Sequence, residues 1–225
     1  MKFATETSEL PSKTAKVPLW LKIACTLFVS VLVPVYWINY GPSNFLWFSD
    51  FALLVTVLAL WLECPFFTSV AVVGILLPEL LWNIDFFLRL IFGANLIGLS
   101  YYMFDGGKPI FLRGLSLFHV FLPVLLLWLV NRLGYDKRAL IVQTGVAWIL
   151  FIVCYLFTDP AKDINLVFLP LQRSDLPASG IWFVLLLMIV YPAVFYLPVH
   201  VLLERTLGPK AEPLRPSEGT KYVNP

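Results

Sequence analysis

Residues 65–104 read PFFTSVAVVGILLPELLWNIDFFLRLIFGANLIGLSYYMF, and the fold turns on how often this stretch crosses a bilayer. It holds only three charged side chains, Glu79, Asp85 and Arg89. As one continuous helix it would measure roughly 60 Å at about 1.5 Å per residue, twice the thickness of a hydrocarbon core. It is therefore one span with an outer continuation, or two short spans. Five other runs are long and apolar enough to cross on their own: 18–40, 45–63, 116–134, 139–158 and 181–203.

The positions of the basic residues separate the two cases. With six crossings and a cytoplasmic N-terminus, the inside carries Lys2, Lys13, Lys16, Lys22, Arg132, Lys137, Arg138, Arg205, Lys210, Arg215 and Lys221. The outside carries Lys108, Arg113, Lys162 and Arg173, and Arg89 stays at the membrane, so the balance is eleven against four. A seventh crossing would move both the Arg132–Arg138 turn and the basic C-terminus to the face opposite the basic N-terminus. Positive charge concentrates on the cytoplasmic side, which selects six spans with both termini cytoplasmic. The third span then covers about 66–84, and 85–104 continues it or bends along the outer interface. Gly93, Gly98 and the Asp105–Pro109 turn provide flexible points there.

Composition agrees with an all-α polytopic transmembrane bundle over 18–205, flanked by polar tails at 1–17 and 206–225. Of 225 residues, 60% are hydrophobic and 13% charged, with a mean hydropathy of +0.84. A soluble domain has nearly twice that charged fraction. The net charge of +2 comes without any long basic block, which argues against a nucleic-acid partner and leaves membrane lipids as the expected surroundings. Cys25, Cys64 and Cys154 are scattered through apolar runs and suggest neither a disulfide framework nor a metal site. No zinc-ligand spacing, phosphate-binding loop, nucleophile elbow or dinucleotide fingerprint occurs, so no metal or cofactor is expected.

Ionisable groups inside a bilayer cost a few kcal/mol each and mark sites, pathways or internal pairs. Asp50, Asp85, Arg89 and His119 come from three segments and converge on one layer near the outer face. Ser49, Thr56 and Glu63 recur every seven residues along the second span, and Ser116 shares a helix face with His119. Pro123, four residues after His119, leaves the His119 carbonyl without its helical donor. Simpler readings accompany these. Asp85 and Arg89 form an i,i+4 pair that could neutralise itself, as could His200 and Glu204 near the inner face. Glu79 and Asn83 share a face and could hydrogen-bond between helices or line a cavity.

The order of landmarks resembles a known family. Tyr40-Gly-Pro-Ser-Asn-Phe-Leu-Trp-Phe-Ser-Asp50 opens the second span, Tyr101-Tyr-Met-Phe-Asp105 follows, then Phe118-His119-Val-Phe-Leu-Pro123, with Trp148–Tyr155 in the fifth span. Over residues 35–158 this is similar to the androgen-induced family of six-pass hydrolases, which cleave fatty acid esters of hydroxy fatty acids with an intramembrane threonine and histidine. The resemblance implies a pocket at His119 with Asp50 beside it. Trp47 stands at the family's threonine position, and Ser49 is the substitute hydroxyl. The chain also looks like uncharacterised bacterial multi-pass proteins, which implies an inner-membrane location.

Three functions follow as expectations. In acyl-ester hydrolysis or transfer on a lipid-like substrate, His119 is the general base, Asp50 or Asp85 orients it, and Ser49 or Thr56 attacks. Arg89, with Asp85 and Glu79, would hold the substrate head group. In transport or lipid binding, the same groups relay protons or bind a cation. In a scaffold role, His119 and Asp50 tolerate substitution while the bundle faces do not.

Overall fold

A computed structural model describes residues 17–94, 96–168 and 180–207. Residues 1–16 and 208–225 of the expected polar tails and 169–179 of the 159–180 loop lie outside these residues, whereas Val17, expected in the first tail, is buried in the bundle. Among the described residues are six principal helices and no strand. They are α1 (Leu19–Tyr40), α2 (Phe48–Leu62), α3 (Pro65–Phe92), α4 (Ile110–Leu133), α5 (Ala139–Phe157) and α6 (Gly180–Leu207). All but α2 are long and apolar enough to cross a membrane. The 15 residues of α2 span only about 22 Å, and a 3-10 turn at Pro42–Leu46 precedes it, separated by the non-helical Trp47. The chain is an all-α polytopic bundle, as its sequence predicts.

The third helix is the central post. Its most apolar window is 61% buried inside the protein, against 17% for α1 and 11% for α6. Every residue from Thr68 to Leu76 is buried, and α2, α4 and α5 all pack against this helix. The peripheral helices turn Trp20, Leu27, Ile38, Trp182 and Ile189 outward. Lipid tails are as apolar as these side chains, so exposing them there carries no hydrophobic penalty. Gly74 lets α5 come close to the post. A Cβ at that position would lie 2.5 Å from Gln143 Nε2, a side chain buried between the helices.

The expectation that 85–104 continues the third span or bends away has a divided outcome. The helix continues through residue 92, ends on a left-handed Gly93 (φ 68°), and the chain folds back so that 97–100 return to the level of Asp85.

Proline inside a spanning helix removes a backbone donor, and bilayer surroundings offer no water to replace it. Side chains make good the loss at two such places. Pro123 frees the His119 carbonyl, which accepts from Asn83 Nδ2 on α3 at 2.8 Å. Pro192 frees the Met188 carbonyl, which accepts from the Trp148 indole on α5 at 2.8 Å. The second lies beside a π-helical turn at Tyr191–Tyr196 in α6.

The loop after α5 clamps the start of α2. Asn165, in the left-handed region (φ 55°), is buried; its Oδ1 accepts from Phe48 N at 3.1 Å and its Nδ2 donates to the Leu46 carbonyl at 2.8 Å. Asn165→Ala orphans both backbone groups and places alanine where asparagine is better tolerated. We expect a loss of about 2–4 kcal/mol, checked by thermal unfolding in detergent. Asn165→Asp, which keeps the acceptor, is expected to lose less.

Candidate functional site at the His119 end of the bundle

His119 is the second residue of Phe118–Leu133, the longer part of α4 after a break at Ser116–Leu117. Its Nδ1 lies 3.0 Å from both Oε1 and Oε2 of Glu79 on α3. The Glu79 side chain is 4% exposed and that of His119 12%, so the pair is held largely away from solvent. Asn83, one turn beyond Glu79, donates to the carbonyls of both Glu79 (2.8 Å) and His119 (2.8 Å), and so locks the two helices in register. The imidazole is also sandwiched by rings, with Trp82 at 4.5 Å and Phe118 at 4.1 Å between centroids. These contacts fix both the ring plane and the nitrogen that faces the carboxylate. Nε2 has no hydrogen bond from any described residue.

Asp50 enters this layer from the first turn of α2, where the helix N-terminus favours a negative charge. It is 4% exposed, its Oδ1 is buried with no hydrogen-bond partner among the described residues, and it lies within electrostatic range of His119 and Glu79. Tyr36 on α1 shares a 2.7 Å hydrogen bond with Ser116 at the break in α4. The structure thus brings Asp50, Glu79 and His119 together from three helices.

Other expected site residues are placed differently. Asp85 does not orient His119 and does not pair with Arg89. Its Oδ1 accepts from Ile97 N (2.8 Å) and Gly98 N (3.0 Å), and its Oδ2 from Ser100 N (2.9 Å) and Ser100 Oγ (2.7 Å). A returning loop presents four donors, and those amides need an acceptor at membrane depth; Arg89, one turn on, is left to the aromatic rings of Tyr101 and Phe104. Thr56 bonds back to the Ala52 carbonyl at 2.7 Å, the common fate of a hydroxyl in an apolar helix. Ser49 is half-buried and forms no hydrogen bond with a described residue. Glu63, grouped by spacing with Ser49 and Thr56, instead takes a left-handed position (φ 48°) at the far end of α2 and pairs with Lys22 at 2.7 Å. His200 does pair with Glu204, at 3.4 Å, and also shares a 2.6 Å hydrogen bond with Tyr135.

Sequence reasoning left Glu79 out of the layer of Asp50, Asp85, Arg89 and His119 and gave it to the substrate, to Asn83 or to a cavity lining, and it missed Trp82, Phe118 and Tyr36. A partial signal existed. Glu79, Trp82 and Asn83 fall at i, i+3 and i+4, so they lie on one face of α3. Which helix that face meets is not readable from spacing. No cluster of three or more metal-ligating side chains occurs among the described residues. Comparison with protein-family models, curated proteins and solved structures finds no match. The likeness to the androgen-induced family therefore rests on the sequence landmarks.

Proposed function

We propose that this multi-pass membrane protein cleaves or transfers acyl esters of a lipid-like substrate at the His119 site. The observation that carries the reading is the carboxylate–imidazole pair. Glu79 on Nδ1 fixes the tautomer in which Nε2 is the free basic nitrogen, and it stabilises the imidazolium once Nε2 takes a proton. In the cycle, Nε2 removes the proton of a nucleophilic hydroxyl or water as its oxygen bonds to the ester carbonyl carbon. The same proton then passes to the departing alkoxide as the acyl C–O bond breaks. With water as nucleophile the products are a fatty acid and an alcohol. With a protein hydroxyl the acyl group stays on that oxygen until water or an acceptor alcohol, deprotonated in turn by Nε2, displaces it and the hydroxyl regains its proton. Ser49 is the preferred protein hydroxyl, because that of Thr56 is committed to its own helix.

A second reading has its own observation. The buried Asp50 oxygen, without a hydrogen-bond partner among the described residues and beside Glu79 and His119, suits a proton relay or cation step in transport. A lipophilic fluorophosphonate probe on detergent-purified protein discriminates between the two. Labelling lost in His119→Ala and in Ser49→Ala supports hydrolysis through a serine. Labelling of neither wild type nor variants, in folded protein, rejects the activated hydroxyl and leaves pH-dependent uptake to be measured. We further infer that both tails are cytoplasmic, supported by the eleven-to-four distribution of basic residues, and a bacterial cytoplasmic membrane, which rests on the likeness to bacterial multi-pass proteins alone.

A further inference from the structure

Three cations hold one short turn at the His119 end. The turn is Tyr101–Phe104, a single 3-10 turn in the chain that returns from α3 to α4. The Arg89 guanidinium lies 4.8 Å from the Tyr101 ring and 4.9 Å from that of Phe104. The Lys108 ammonium is 5.4 Å from the Tyr102 ring and 5.3 Å from Tyr40. Arg113 donates through Nη1 to the Met103 carbonyl at 3.0 Å. Successive residues of one turn thus draw in three positive charges.

None of the three forms an ion pair with a described residue. The nearby acids are engaged elsewhere: Asp85 with the 97–100 backbone, and Asp105 with Gly107 N at 2.9 Å. Two guanidinium donors, Arg89 Nη1 and Arg113 Nε, are buried and have no hydrogen-bond partner among the described residues. A buried cationic N–H without an acceptor is costly, and three like charges on one turn repel one another. Rings alone do not relieve this, since they offer a diffuse negative face and no lone pair. Along the chain on either side of the turn, Ile91, Phe92, Leu96, Ile110 and Phe111 expose apolar surface, which suits an acyl chain rather than water.

We propose that Arg89, Lys108 and Arg113 form a binding site for the anionic head group of an amphiphile, with its acyl chain along the exposed apolar residues of 90–97 and 110–111. A phosphate or a carboxylate satisfies the orphaned guanidinium donors, and an arginine fork suits either oxyanion. The site does not depend on ester cleavage at His119.

Delipidated protein in a neutral detergent is titrated with phosphatidylglycerol, with phosphatidylcholine of the same acyl chains and with oleate, and bound lipid is counted by native mass spectrometry. Wild type is expected to retain phosphatidylglycerol or oleate at least about tenfold better than phosphatidylcholine, a difference of about 1.4 kcal/mol. Which of the two anions binds better separates a phospholipid phosphate from a fatty carboxylate. Lys108→Gln, which breaks no hydrogen bond within the protein, is expected to reduce the preference several-fold, and Arg89→Gln with Arg113→Gln to abolish it. Arg138→Gln, in an exposed pair with Asp136 at 2.7 Å, is expected to leave it unchanged. His119→Ala is expected to bind like wild type even if it loses turnover. No anion preference in wild type overturns the proposal, as does a preference that survives all three rim substitutions.

Discussion

Asp85→Ala is expected to be the most destabilising single substitution at the His119 end, costing about 4 kcal/mol. One carboxylate accepts four hydrogen bonds from Ile97, Gly98 and Ser100, and both of its oxygens are used. Hydrogen bonds to a charged acceptor are worth about 1.5–3 kcal/mol each, although members of one cluster are not additive. Removing the carboxylate leaves three backbone amides without an acceptor in a segment whose neighbours are apolar and exposed. The loss is expected to lower the unfolding temperature by about 10 °C. Amide exchange should rise selectively at 97–100, because the loop opens before the bundle does. Asp85→Asn, which keeps one carbonyl acceptor, should recover part of both effects. If Asp85 instead served to neutralise Arg89, Asp85→Ala and Arg89→Ala would compensate in the double variant. Here they are expected to be close to additive, since the two side chains have separate partners. Unchanged exchange at 97–100 in Asp85→Ala would show that the loop is held by something else.

The largest expected effect on activity belongs to Glu79→Gln. The substitution keeps volume and shape but can present an amide N–H to Nδ1 of His119, which then accepts and carries its proton on Nε2. The base is thereby supplied in the wrong tautomer, and the imidazolium loses its carboxylate. Loss of general-base catalysis of this kind amounts to about 10²–10⁴-fold in rate. The measurement is the rate of fluorophosphonate labelling, or of ester turnover once a substrate is in hand, beside unfolding temperatures that report whether the bundle is intact. Asn83 donates only to backbone carbonyls and the Trp82 and Phe118 rings hold the imidazole, so most of the ring's placement should survive. Glu79→Gln that labels at the wild-type rate would remove the orienting role and, with it, the main support for hydrolysis. Loss of pH-dependent uptake in Glu79→Gln and Asp50→Asn, with no labelling in any form, would favour the relay.

The clearest successes of sequence reading concern features that are local along the chain. The helical, membrane-type runs came from the lengths of apolar stretches, which the bilayer sets directly, and five of the six helices are long and apolar enough to cross, α2 being the shorter exception. The freed carbonyl at His119 followed from Pro123 by covalent geometry, and the structure supplies Asn83 as its donor. The convergence of Asp50 and His119 followed from depth, since two spans entered from the same face run parallel and bring their first turns to the same level. Rotation of each helix about its own axis was not legible in this way. Glu79, rather than Asp50 or Asp85, faces Nδ1 because α3 is central and presents one side to α4.

The apolar runs were thus enough for the amino-acid sequence alone to specify an all-α membrane bundle. Tertiary structure decided the partners of the polar side chains within it. Asp85 went to a returning loop, Arg89 to two aromatic rings, Thr56 to its own helix, and Glu79 to the histidine. The physical reason is that in a solvent without hydrogen bonds each polar group must find a partner inside the protein. Several candidates lie within reach along the chain, and only packing in three dimensions chooses among them.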